Sequence, residues 1–151
     1  MTAITSISRS ALPIGRSQGT QGVSTANRSY PVLGLSGWQI SAFRKIAALS
    51  VLPVNWDSYG SVPIQEDVLD VASDLVSGVT FDLATSPRVI PVAGGGVQLE
   101  WSKGLRELII RVCPDLTLEL AARDGQTVTD GSVGSLPPAV LQQLLSWLES
   151  A

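Results

Sequence analysis

The chain has no histidine, one cysteine and one methionine among 151 residues, and only 5% of it is aromatic. Each shortage excludes some chemistry. Without histidine there is no Ser-His-Asp or Cys-His nucleophile and no imidazole ligand for a metal. One thiol, Cys113, excludes an intramolecular disulfide and any zinc site built on cysteine pairs. No run approaches the roughly 18 apolar residues of a membrane span, and the start lacks the roughly 7–15-residue apolar core of a secretory signal. The expected setting is therefore cytoplasmic and away from membranes. No cofactor motif is present. Gly94-Gly95-Gly96-Val97 precedes an alternating, strand-like stretch, whereas a dinucleotide-binding glycine loop opens a helix. A hairpin turn is the better reading, and no cofactor and no metal are expected. Asp124 and Asp130 with the glycines near them lack the spacing and the terminal Glu of a calcium loop.

What is present suffices for one domain. Hydrophobic residues make up 44% of the chain, enough to pack a core. Charge is uneven. Arg9, Arg16 and Arg28 are the only charged side chains before Arg44, and the first acid is Asp57. The early segment carries +3. The remainder has 7 basic and 13 acidic residues, a net of −6. An acidic body disfavours nucleic acid as a ligand. Residues 1–30 are rich in Ser, Thr and Gly with little periodicity, and are expected to be disordered or extended. Residues 31–151 form the expected domain.

Periodicity within that domain changes once. Ser36 and Gln39 fit a capping box, and Ile40, Phe43, Ile46, Ala47 and Leu49 recur at helical spacing up to about Leu52. Pro63 is placed to open a second helix with the stripe Ile64, Val68, Val71, Ala72 and Leu75, stopped at Gly78. From Arg88 the period becomes two. Four strands are expected: Val89–Val92, Val97–Trp101, Leu105–Val112 and Leu116–Ala121. Residues 124–135 read as a loop. Ser135 is placed to cap a last helix carrying Leu141, Leu144, Leu145 and Leu148. The expected fold is α+β and two-layered: an antiparallel four-stranded meander with two preceding helices and one C-terminal helix.

Two groups of residues carry possible chemistry. A Lys103-Gly104 turn would set Trp101 opposite Arg106, as a cation–π pair, and Glu100 opposite Glu107. Opposed carboxylates in a cleft can split their pKa values and work as acid and base. Glu100 and Glu107, with Glu119 near them, are the only catalytic candidates. A solvated outer face, with Lys103 and Arg111 as neighbouring cations, is the simpler account. The second group is Asn55-Trp56-Asp57-Ser58-Tyr59-Gly60. Trp56 can plug the core between the first two helices while Asp57 or Ser58 bonds backbone amides and Gly60 takes positive φ. Trp and Tyr are also common anchors for a partner, and the two roles are compatible, with Trp56 inside and Tyr59 out. The candidate contacts are Trp56, Asp57, Tyr59, Trp101, Arg106 and Arg111.

Asn55-Trp56-Asp57-Ser58-Tyr59-Gly60-Ser61, Pro87-x-Val89-x-Pro91 and Gly95-Gly96-Val97-Gln98-Leu99-Glu100-Trp101 resemble the motifs of a group of small bacterial proteins with no assigned activity. That group's pattern runs Asn-Trp-Asp-Gly-Tyr-Gly-Ala, a helix, a proline-flanked strand, then Gly-Gly-(Val/Ile)-Gln-Leu-Glu-Trp. The likeness spans residues 53–125. Ser58 and Ser61 stand where glycine and alanine are usual. The resemblance implies an origin in a bacterium, a phage or a mobile element.

The functional expectation is a non-enzymatic interaction protein, an antitoxin-like inhibitor or accessory subunit, binding an unknown protein partner or a second copy. Strands 105–112 and 116–122 read as apolar on both faces; in the first, Leu108, Ile110 and Val112 point one way and Leu105 and Ile109 the other. If helices cover one face, the other needs a cover. The alternatives are a small hydrolase-type enzyme using Glu100 and Glu107, and a weak single-stranded nucleic-acid binder using Trp56, Tyr59 and the early arginines.

Overall fold

The computed structural model describes residues 34–80, 82–83 and 86–151. The segment read as residues 1–30 lies outside the described residues. Residues Ser36–Ala151 form one compact unit. Its elements are α1 (Gly37–Leu49), α2 (Glu66–Ser77), β1 (Arg88–Val92), β2 (Gly96–Lys103), β3 (Arg106–Val112), β4 (Leu118–Asp124), β5 (Thr127–Val133) and α3 (Pro138–Glu149). The class is α+β, as expected, but the sheet has five strands, in the order β1-β2-β3-β4-β5, all antiparallel. The added strand is β5, drawn from the stretch read as a loop.

The helices lie on one face of the sheet. Helices α1 and α2 pack on each other and over β1 and β2, while α3 packs over β2 and β3. Period two in the strands supplies the buried face: Val97, Leu99 and Trp101 of β2, Leu108, Ile110 and Val112 of β3, and Leu118 of β4. Facing them are Leu141, Leu145 and Leu148 of α3 and Val68, Ala72, Leu75 and Val76 of α2. The buried stripe of α1 is Trp38, Ala42, Ile46 and Leu49. It is rotated from the stripe expected, because Trp38 at the first turn takes the core and leaves Ile40 and Phe43 at its margin. Helix α2 starts at Glu66, with Gln65 as N-cap, and not at Pro63, which stays in the extended approach. Helix α3 starts at Pro138 after Pro137 rather than from a Ser135 cap.

Cations from the sheet close the C-terminal end of α3. Lys103 Nζ donates to the Glu149 carbonyl at 2.6 Å and to its carboxylate at 3.0 Å. Arg106 donates to the Trp147 carbonyl and to Ser150 Oγ, and its guanidinium lies 5.0 Å from the centre of the Trp147 ring. The last turn of α3 has no basic residue of its own. The β2–β3 hairpin thus supplies the positive charge that a helix C-terminus favours. No helix among the described residues is long and apolar enough to cross a membrane.

Candidate functional site

The chain between α1 and α2 is a turn held by its own polar groups. Asn55, Ser58 and Gly60 all adopt positive φ, at 63, 67 and 92°. Glycine accepts such a value freely; Asn does so more readily than most residues. Side-chain bonds hold the rest. Asn55 Oδ1 accepts from Gly60 N at 2.6 Å, and Asn55 N donates to the Ser61 carbonyl at 2.7 Å. Asp57 Oδ1 accepts from the amides of Tyr59 and Ser61 at 2.9 and 3.0 Å, while Oδ2 accepts from Ser61 Oγ at 2.6 Å. Asp57 therefore works inside the loop, as the Asx-turn reading expects. Those bonds, that of the Ser61 hydroxyl foremost and that of the Tyr59 amide next, hold the Asp57 carboxyl below the ordinary aspartate value of 3.8.

A lowered folded pKa fixes the sign of the acid response. The stabilisation from ionised Asp57 is complete above 3.8 and is lost as pH falls below it, through the folded value. Hydrogen exchange or NMR shifts of the Tyr59 and Ser61 amides should change in that acid window in the wild type. In an Asp57→Asn variant the same window should be silent. A wild-type response centred above pH 5 would contradict this assignment.

The loop does not place Trp56 in the core. Trp56 is half-buried and outside the core cluster, and its indole N–H donates to the Val62 carbonyl at 3.1 Å. The ring spans the loop and ties its start to its end. Tyr59, three residues on, is 92% exposed. Val51, Val54 and Val62 are also exposed, so among the described residues half of the eight large exposed hydrophobics lie between positions 51 and 62. Val62 sits against the β1–β2 turn, where a Cβ on Gly95 would meet its Cγ2 at 3.3 Å. A phenol offers an apolar ring and a hydroxyl that donates and accepts. The three valines carry no sequence signal, because isolated apolar residues among turn formers show no periodicity.

The other candidates are placed differently. Glu100 and Glu107 do not face each other. The turn is Gly104-Leu105, so Lys103 pairs with Arg106, Glu107 lies opposite Ser102 and Glu100 lies opposite Ile109. Trp101 lies opposite Leu108, and Arg106 meets Trp147 in place of Trp101. Each glutamate has its own arginine: Glu100 pairs with Arg88 at 2.9 Å and Glu107 with Arg123 at 3.0 Å. The proposed acid–base pair loses its geometric basis. Trp101 is 1% exposed and cannot contact a partner, while Arg106 is engaged with Asp124 and the end of α3.

Arg111 belongs to the helix-free face of the sheet. It donates to Gln98 Oε1 from Nε and Nη2 at 3.1 and 2.9 Å, and pairs with Glu119 at 3.0 Å. Gln98 in turn donates to Glu100. A polar ladder, Arg88–Glu100–Gln98–Arg111–Glu119, so crosses four strands. Leu105, expected to make this face apolar, lies in the turn and is 79% exposed. Ile109 lies on the face between the charged rows. The helix-free face thus carries an internally paired polar ladder, with half-buried Ile90, Ile109 and Ala121 between the charged rows. Among the described residues, no three Asp, Glu or Cys side chains gather where they could hold a metal ion.

Compared with known proteins, the chain matches no family model, no curated protein and no solved structure.

Proposed function

We propose that the protein acts by contact with another protein, as an antitoxin-like inhibitor or accessory subunit of a bacterium, phage or mobile element, and that the 51–62 loop is its contact surface. One observation carries the reading. Tyr59 stands almost wholly in solvent on a turn whose conformation is already fixed by Asn55, Asp57 and Trp56. An aromatic side chain with two rotatable bonds, carried on a fixed backbone, loses little conformational entropy on binding, and such residues are common interface anchors. Exposed Val51, Val54 and Val62 supply apolar surface on the same segment. Of the six contact residues read from the sequence, Tyr59 is the one whose side chain stands free as an anchor; Trp56 and Asp57 brace the backbone that carries it.

The test is affinity capture from the native host with the wild type and with Tyr59→Ala, each captured protein then being titrated in purified form. A partner should bind the wild type stoichiometrically and the variant at least about 30-fold more weakly, the loss of a typical anchor. Removing so exposed a side chain should leave the melting temperature within the small change usual for surface substitutions. A partner held equally by both proteins would remove the loop from the interface.

A further inference from the structure

The two edges of the sheet are built differently. One edge, β1, has Pro91 within it. Strand alternation, counted from the two-residue turn at Gly104-Leu105, points the Pro91 nitrogen away from β2. The missing N–H therefore falls on the free edge, where proline discourages further pairing. The other edge, β5, has no proline and a single charge, Asp130. Its seven residues, TVTDGSV, contain neither lysine nor arginine. They pair one for one with Leu118–Asp124, without a bulge, and all are exposed. Natural sheets blunt a free edge by one of these means or by covering it.

The phase of the hairpin says which backbone groups are free. Gly125-Gln126 is a two-residue turn led by glycine at φ 62°. Residues flanking such a turn form a hydrogen-bonded pair, here Asp124 with Thr127. Thr129, Gly131 and Val133 then bond inward to β4. The N–H and C=O groups of Val128, Asp130 and Ser132 face outward.

We infer that β5 pairs antiparallel with β5 of a second copy, about a twofold axis at Gly131, joining two sheets into one of ten strands. Three observations select this occupant. The outward groups recur every second residue, so this register matches outward groups with outward groups on both chains. It sets Asp130, the only charge on β5, opposite Ser132 of the second copy, a carboxylate against a hydroxyl. An axis at Asp130 would oppose two carboxylates, which is unfavourable. It also sets Thr129 opposite the second copy's Val133, on the helix-bearing side. There Leu120, Ala122, Val133 and Leu144 line an apolar depression of about 220 Å³ beside the edge. The twofold brings both depressions together and presents an apolar side chain to each, as an isologous interface requires.

The experiment is sedimentation equilibrium and native mass spectrometry of the full chain across the micromolar range. The expected species is a reversible dimer of the 15.9 kDa chain. Asp130→Pro removes an outward donor and no bond to β4, and should yield a folded monomer. Ser132→Lys places a cation opposite Asp130 twice per dimer and should tighten the dimer several-fold; Ser132→Asp should weaken it by a similar factor. These two variants test the register even if the proline variant unfolds. A wild type that stays monomeric throughout, or an Asp130→Pro protein that is folded and dimeric, overturns the inference. So does a Ser132→Lys dimer no tighter than the wild type. The Tyr59 loop lies outside this interface, so loss of partner capture leaves the result unaffected.

Discussion

Replacing Trp101 by alanine is expected to lower the unfolding free energy by about 3–5 kcal/mol, the usual cost of emptying a large buried aromatic site. Trp101 is 1% exposed, stands opposite Leu108 in the central hairpin, and belongs to the cluster shared by the sheet and the helices. At roughly 4 °C per kcal/mol for a domain of this size, melting should fall by about 12–20 °C. The indole adds a second, opposite effect. Its Nε1 is buried, and among the described residues it has no hydrogen-bond partner. An unpaired buried donor costs about 1–3 kcal/mol. Trp101→Phe removes that donor and keeps an aromatic ring, so it should cost less than half of what alanine does. Urea midpoints at unchanged slope measure both. Equal losses for phenylalanine and alanine would mean that the shape of the indole matters and its unpaired N–H does not.

The two central strands were readable because they bury one face each. Val97, Leu99 and Trp101 alternate with Gln98, Glu100 and Ser102, while Leu108, Ile110 and Val112 alternate with Glu107, Ile109 and Arg111, and the core takes the first set of each strand. Strand β5 was not readable for the same physical reason. Thr127–Val133 buries neither face, so its Thr, Asp, Gly and Ser look like a loop. The pairing of the central hairpin turned on one residue. Glycine leads both two-residue turns, at Gly104-Leu105 and Gly125-Gln126. Placing Gly104 second shifted every partner by two positions and created a facing glutamate pair that the fold does not form. The 55–60 turn was legible in its backbone, through Asn55, Asp57 and Gly60. Its tryptophan was not, because an apolar ring suits a core plug and a loop brace equally, and only the Val62 carbonyl tells them apart.

Changes at Gln39 should be as damaging as those at an apolar core site, and the effect should depend on pH when the new side chain can ionise. Gln39 is 4% exposed and holds two helix ends together. Its Oε1 accepts from Ser36 N at 3.0 Å, the return arm of the capping box at the start of α1. Its Nε2 donates to the carbonyls of Val76 and Val79 at 2.9 and 2.8 Å, at the end of α2. The first role is written in the Ser-x-x-Gln spacing; the second needs a residue 40 positions away, and no local pattern shows it. Gln39→Ala loses the cap bond and strips the Val79 carbonyl of this partner, for a cost of about 2–4 kcal/mol. Gln39→Glu keeps the size but sets a carboxylate against two carbonyl oxygens, away from water. Its folded pKa must rise above the ordinary glutamate value of about 4.3, because burial and the facing oxygens disfavour the charge. An acid whose folded pKa is raised destabilises increasingly as pH rises through the unfolded value, and the penalty vanishes below it. The glutamate variant should therefore be less stable than the alanine variant at pH 7. It should regain stability towards pH 4, where the protonated carboxyl can again donate to a carbonyl. Thermal melts of the three proteins at the two pH values test this, and a glutamate variant whose deficit against the wild type is the same at both would show that the amide does not bridge the helix ends.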